Sequence, residues 1–316
     1  MSASKKIRKA VIPAAGFGTR MLPATKAVPK EMLPVAGKPL IQYAVEEAAA
    51  SGIETVILVI RDHMSLIESH FSADQALESL LYERDLIALG DLVRALPKIA
   101  ELQFIRQKRP LGLAHAVSCA RPLVGNEAFA VLLPDVIMVS REPVIGQLIC
   151  SHQETGGSVV AVREVELQDV KRFGIVQVEG TATGEVRRWV RVTRLVEKPT
   201  PDDAPSRLGI FGRYLLEPPI WDAIARTGPD ANGEVQLTDA LNLLCQQQSL
   251  FGLCFEGEHY DAGDPFGYLK ANLEIALQDP RMREPLHRYI LDLQVHTEVS
   301  RGSSSPSLPS TTKCSL

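Results

Sequence analysis

Between Ala10 and Val162 the chain alternates short, β-branched apolar runs with segments of helical periodicity, and no other feature constrains its fold as tightly. The runs are Ala10 to Ile12, Thr55 to Ile60, Leu102 to Arg106, Ala128 to Leu133 and Ser158 to Val162. Short apolar runs of this kind predict strands buried on both faces. Between them, Leu40 to Ser51 places Ile41, Ala44, Val45 and Ala48 on one helical face, with Gly52 as its stop. Met64 to Phe71, Gly112 to Ala120 and a segment carrying Val144, Ile145, Leu148 and Ile149 read as helices in the same way. Asp74 to Leu96, rich in Leu, Glu and Arg, reads as further helix lying over the sheet. The fold class expected is α/β: a doubly wound, mostly parallel, Rossmann-like mixed sheet with right-handed crossovers and helices on both faces.

The pattern changes after Val162. Gly174 to Val178 and Val186 to Val196 read as strands joined by a Gly-Thr-Ala-Thr-Gly turn, which predicts a small antiparallel ribbon. Leu208 to Leu215 reads as a strand, and Pro218-Pro219 suits the first turn of a helix to about Arg226. A helix from Thr238 to Gln248, a strand from Leu250 to Phe255 and a helix after Pro265 follow. The expected organisation is one unit over 1–277, with halves 1–162 and 163–277, a helix over 278–300 and a Ser- and Pro-rich disordered tail over 301–316.

The first apolar run leads into Gly16 and Gly18, then Thr19 and Arg20. Glycines let backbone N–H groups approach phosphate oxygens, and Arg20, Lys26 and Lys30 add cations suited to face a polyphosphate. A P-loop is excluded because no Lys-Ser or Lys-Thr follows the second glycine. A dinucleotide fingerprint is excluded because Met21 stands where a third glycine belongs, and Pro23 and Pro29 deny the helix that should follow. A long, proline-stiffened basic loop remains. Asp135, just past the fourth strand, and Asp261, in Tyr260-Asp261-Ala262-Gly263, stand where open α/β sheets bind ligands. Asp135 reads equally as a turn or helix-cap aspartate; together the two carboxylates suit Mg²⁺, a hard cation that takes one or two carboxylates plus substrate phosphates.

A net charge of −4 argues against a nucleic-acid partner, and no apolar run is long enough for a membrane span. No secretory signal precedes Ile7. The five cysteines contain no C-x-x-C pair, which suits the reducing cytoplasm and offers no zinc site; the seven histidines include no H-E-x-x-H.

Gly16-Phe-Gly18-Thr19-Arg20, Pro23 and Lys30-Glu31-Met32-Leu33-Pro34 resemble the nucleotide-binding loop of sugar-1-phosphate nucleotidyltransferases. The long form starting at Pro29 is similar to the bacterial branch of that family that uses UTP and glucose 1-phosphate, and the likeness runs from about residue 8 to about residue 277. The resemblance implies a cytoplasmic homo-oligomer that makes UDP-glucose and pyrophosphate with Mg²⁺ held by Asp135 and Asp261. It makes 1–162 the nucleotide-binding half and 163–277, with its antiparallel ribbon, the sugar-binding half. It implies that Ala15, Gly16, Gly18 and Thr19 contact the nucleotide, and that Gln107 and Gly112 read the pyrimidine edge. Gly174 and Gly212 would border the sugar, Glu197 would accept its hydroxyls, and Lys198 would meet its phosphate. Arg20, Lys30 and Lys198 would be catalytic.

Glu234-Val-Gln236-Leu-Thr238-Asp239 also matches the family, but Thr238 or Asp239 is read as a helix cap. Departures are Ala114 where relatives commonly have glycine, Phe173 for Tyr and Ala262 for Cys; the Ala114 methyl is expected to crowd the base mildly. Arg191 and Arg194 are unexpected in a strand that should be apolar. The rival readings are a thymidylyltransferase of the same fold and a non-catalytic, UDP-sugar-binding regulatory paralogue. Retention of Arg20, Lys30, Asp135, Lys198 and Asp261 speaks against the second.

Overall fold

The computed structural model describes residues 6–61, 65–180 and 188–302. β1 (Lys9–Ala14) runs into a long loop of 3-10 turns, then a hairpin of β2 (Pro34–Val35) and β3 (Lys38–Pro39). α1 (Leu40–Ala50), β4 (Thr55–Ile60) and α2 (Ser65–His70) follow. The stretch read as continued helix from Asp74 is two helices, α3 (Gln75–Glu83) and α4 (Ile87–Ala95). Asp74 caps α3 by accepting from Leu77 N, and Asp85 at φ 57° turns the chain out of the helix. Next come β5 (Glu101–Arg106), α5 (Leu113–Cys119), α6 (Arg121–Val124), β6 (Phe129–Leu132), β7 (Val136–Val139), α7 (Val144–Thr155) and β8 (Ser158–Glu164). β9 (Gly174–Val178), β10 (Trp189–Glu197), β11 (Leu208–Leu216), α8 (Ile220–Arg226) and α9 (Leu237–Cys245) precede β12 (Leu250–Cys254) and β13 (Glu258–Asp261). α10 (Pro265–Gln278) and α11 (Pro280–Gly302) close the described chain. The turn expected at 180–184 and the tail expected at 301–316 lie almost wholly outside the described residues. No described helix is long and apolar enough to cross a membrane.

Nine strands form one sheet in the order β5-β4-β1-β6-β11-β8-β12-β10-β9. β5, β4, β1 and β6 are parallel to their neighbours in that series, as are β8 and β12. β11 enters antiparallel between β6 and β8, and β12, β10 and β9 alternate in direction, so the sheet is evenly mixed rather than mostly parallel. No described helix separates β10 from β11, which permits antiparallel insertion, whereas β12 is reached from β11 through α8 and α9. β9 and β10 pair antiparallel as the sequence predicts, yet β10 is also bonded to β12 and β9 touches β11. They are the edge of the main sheet, not a separate ribbon.

Alternate residues of the central strands enter two cores. Ala10, Ile12, Val56, Leu58 and Ile60 pack with α1 and α7 on one face; Val11, Ile57 and Val59 pack with α5, α8 and α9 on the other. Burial on both faces removes the need for polar alternation, which is why the strands are unbroken apolar runs. Arg191 and Arg194 are both exposed: a register shift between Val192 and Arg194 breaks the alternation near the sheet edge and turns both side chains to water.

Candidate active site

The parallel strands β1, β5 and β6 end at one edge of the sheet, and a cavity of about 720 Å³ opens there. Ala15, Gly16 and Arg20 come from the loop after β1, with Lys30 further along it. Gln107 follows β5 directly, and its backbone N–H donates to Ile60 O at 2.8 Å. Asp135 follows β6 in the turn before β7. Opposite stand Gly174 of β9, Glu197 and Lys198 at the end of β10, and Gly212 of β11. Twelve of the fourteen expected site residues therefore face one space. Gly18 and Thr19 do not line it. Gly18, at φ 62°, accepts a hydrogen bond from Thr25 Oγ1 at 2.8 Å and packs against Thr25 and Lys30, so it shapes the loop from behind.

The two aspartates are brought together by the sheet of β7 and β13, in which Asp261 lies opposite Val136 and Ala262 N donates to Asp135 O at 2.8 Å. A Cβ built on Gly263 would lie 3.0 Å from Asp261 Oδ1, 3.2 Å from Asp135 Oδ2 and 3.2 Å from Arg20 Nη2. Both carboxylates thus converge on one small cradle that only a glycine leaves open. Two hard oxygen donors suit Mg²⁺, whose other positions would fall to phosphate oxygens and water. Among the described residues no group of three or more His, Cys, Asp or Glu could hold a metal by itself.

Cations surround the pair. Lys30 Nζ lies 2.7 Å from Asp135 Oδ2, and Arg172 Nη2 lies 2.9 Å from Asp261 Oδ2. Burial disfavours the Lys30 ammonium, but the Asp135 carboxylate and Glu31 outweigh it and hold the lysine above its usual pKa. Burial likewise opposes ionisation of Asp135, and the charge and hydrogen bond of Lys30 reverse the balance and lower its pKa. Glu31 is 1% exposed, its Oε2 finds no partner among the described residues, and burial pushes its pKa up to about 7.

On the far wall, Thr238 Oγ1 donates to Glu197 Oε2 at 2.6 Å, while Lys198 Nζ lies 3.0 Å from Glu197 Oε1. Lys198 holds a left-handed backbone conformation, φ 43°, and its N–H donates to Phe173 O at 3.0 Å. Such strain in a non-glycine residue persists only where its surroundings enforce it. Gly174 packs directly under this group: a Cβ there would sit 2.7 Å from Thr238 Oγ1.

Gln107 Nε2 donates to His115 Nδ1 at 2.8 Å and to Gly112 O at 3.3 Å. The histidine must accept, since an amide nitrogen cannot, and its burial and Arg109 lower its pKa toward the neutral ring. Gly112, at φ 95°, presses on the Val235 backbone, where a Cβ would come within 2.7 Å. Ala114 is fully buried and does not line the cavity, so its extra methyl faces the core rather than a base.

Sequence reasoning overlooked several residues. Thr238 is not a helix cap: α9 starts after Gln236 with no side-chain cap, and Thr238 binds Glu197 instead. Arg172 and Tyr214 also line the cavity. Arg172 offers no signal in a surface-like Lys-Arg pair, whereas Tyr214 follows Arg213, a charge within an apolar run that should have drawn attention.

Residues 9–278 match the Nucleotidyl transferase family, and the chain belongs to it. Among curated relatives, UTP–glucose-1-phosphate uridylyltransferase 2 of Staphylococcus saprophyticus is 45% identical over 292 residues, covering 92% of this chain and 100% of its own length. UTP–glucose-1-phosphate uridylyltransferase YngB of Bacillus subtilis is 46% identical over 289 residues, covering 92% and 96%. The solved structure of a UTP-bound UGPase from Acinetobacter baumannii superposes with a TM-score of 0.82 at 36% identity, over 91% of this chain and 100% of that one. A UDP-glucose pyrophosphorylase complexed with UDP-glucose gives 0.78 at 36% identity, over 87% and 100%.

Proposed function

We propose that this chain transfers the uridylyl group of UTP to glucose 1-phosphate, giving UDP-glucose and pyrophosphate, in the cavity at the carboxyl edge of its sheet. The observation that carries the reading is the meeting of two unlike walls over Asp135 and Asp261. One wall is the glycine loop with Arg20, Lys30 and Gln107; the other is Gly174, Glu197 and Lys198. The first suits a nucleoside triphosphate, the second a phosphorylated polyol. The names of the relatives, which span almost the whole chain, agree with both.

The phosphate of glucose 1-phosphate is already anionic at neutral pH, so its oxygen needs no general base. It attacks the α-phosphorus of UTP in line as the bond to the β-phosphate oxygen breaks, and pyrophosphate leaves opposite. Positioning and charge neutralisation then carry the rate. Arg20 and Lys30 steady the departing pyrophosphate, and Lys198 holds the attacking phosphate. Asp135 and Asp261 would hold Mg²⁺, which would supply neutralising charge to the substrate phosphates. Glu197, fixed by Thr238, accepts hydrogen bonds from sugar hydroxyls. With its NH₂ engaged by His115 and Gly112, Gln107 presents its carbonyl oxygen to the imide N–H of uracil. β9 and β10 accordingly form the sugar-binding wall. The protein is further proposed to work as a cytoplasmic homo-oligomer, a state that light scattering on the eluting peak reads directly.

The test is a panel of nucleoside triphosphates and sugar 1-phosphates with pyrophosphate release as readout. UTP with glucose 1-phosphate should be the most rapidly used pair. Preference for dTTP would move the chain to a thymidylyltransferase, and no turnover with any pair would favour a regulatory binding role.

A further inference from the structure

Arg213 heads the fully buried side chains, at 0% exposure in a strand that is otherwise apolar. Its Nε donates to both oxygens of Glu47, at 3.1 and 3.0 Å, and its Nη2 to Glu47 Oε2 at 2.7 Å. The remaining donors go to backbone: Nη1 to Leu133 O at 3.0 Å and Gly212 O at 3.1 Å, and Nη2 to Val136 O at 2.8 Å. Leu133 and Val136 are the two shoulders of the turn that carries Asp135 at its tip. Two further bonds tie the same turn down, Leu133 N to Gly212 O at 2.9 Å and Ala262 N to Asp135 O at 2.8 Å. Glu47 is in turn fixed from α7, where Ile145 N donates to its Oε1 at 3.2 Å.

A buried ion pair is a poor device for stability, because removing both charges from water offsets most of their attraction. This one is placed where its planar fork spans a single turn. We propose that the Arg213–Glu47 pair is a positioning device that fixes the direction of the Asp135 carboxylate for the divalent cation and the triphosphate. The inference rests on the reading of Asp135 as a cation-holding residue. Arg213 does not line the cavity; it acts through the carbonyls of Leu133 and Val136. Gly212, at φ 62° with the Leu133 side chain pressed against it, brings the two strands close enough for that reach.

The test separates position from stability. Arg213→Met with Glu47→Met removes both charges and keeps an apolar volume, a replacement that often leaves stability unchanged or raised. Arg213→Lys keeps a charge opposite Glu47 but lacks the fork that serves two carbonyls at once. Cation binding is read without turnover, by Mn²⁺ titration followed by electron paramagnetic resonance in the presence of UDP-glucose. Both variants should stay folded by thermal melting and bind Mn²⁺ about tenfold to a hundredfold more weakly, the usual effect of losing a supporting contact behind a metal ligand. kcat should fall while KM for UTP stays within about twofold. A folded variant of either kind with wild-type Mn²⁺ affinity overturns the proposal, and if the double variant does not fold the lysine variant decides alone. Asp135→Asn is measured in parallel. Unchanged Mn²⁺ binding there defeats the reading of Asp135 itself, whereas loss there with retention in the Arg213 variants defeats only the positioning role.

Discussion

Thr238→Val isolates one hydrogen bond in the wall proposed to bind the sugar. Valine matches threonine in shape, so the change removes the donor to Glu197 and little else. Hydrogen bonds to charged groups contribute about 1.5–3 kcal/mol. The 2.6 Å distance argues for the upper end, but Glu197 keeps Lys198 at 3.0 Å and its side chain is 23% exposed, so water partly replaces the lost donor. The lower part of the range, about 1.5–2 kcal/mol, corresponds to roughly tenfold to thirtyfold in an equilibrium constant. If Glu197 binds sugar hydroxyls, the loss should appear as a raised KM for glucose 1-phosphate at saturating UTP. KM for UTP should stay within about twofold, because the nucleotide wall is untouched. Steady-state kinetics with each substrate varied in turn, beside a thermal melt, make the measurement. An unchanged KM for glucose 1-phosphate in a folded variant, or an equal rise for both substrates, would refute the role given to Glu197.

Asp135→Asn should remain folded, lose about a hundredfold or more in kcat and require far more Mg²⁺, as a metal-titrated activity assay will show; full activity at low Mg²⁺ would remove Asp135 from the cation site. Gln107→Ala should raise KM for UTP and narrow the preference for UTP over other triphosphates, about tenfold for one buried amide; unchanged selectivity means that the base is read elsewhere. Glu31 has a folded pKa of about 7 against an ordinary value of 4.5, so the folded state binds the proton more tightly and stability falls as pH rises from 4.5 to 7. Removing that proton site with Glu31→Gln should flatten the decline by about 3 kcal/mol across this window in denaturant melts. A variant with the wild-type slope would show that Glu31 is not buried as a neutral acid.

The cross-strand half of the fold was readable because both faces of β1, β4, β6 and β8 are buried, which leaves unbroken apolar runs. What the sequence concealed was strand direction: β11, buried like β6 and β8, is inserted antiparallel between them. The short β7 and β13 were missed as well, and with them the pairing that sets Asp135 beside Asp261. Residues on strand ends and glycine turns that line the cavity could be picked out because their placement follows local pattern. Thr238 and Arg213 were not, since each matters through a partner 41 or 166 positions away. No local pattern encodes a contact of that range.

The most direct test of the two-wall site is the pair Lys30→Ala and Lys198→Ala, with KM and kcat measured for each substrate in turn. Lys30 is nearly buried against Asp135 on the wall proposed for the nucleotide, and Lys198 is more exposed beside Glu197 on the wall proposed for the sugar. Both variants should lose kcat, since a preorganised cation at developing charge is worth about 3 kcal/mol. KM for UTP should rise mainly in Lys30→Ala, and KM for glucose 1-phosphate mainly in Lys198→Ala. The opposite pattern, or losses in kcat/KM below the fivefold or so of a solvated ion pair in both variants, would contradict the assignment of the walls.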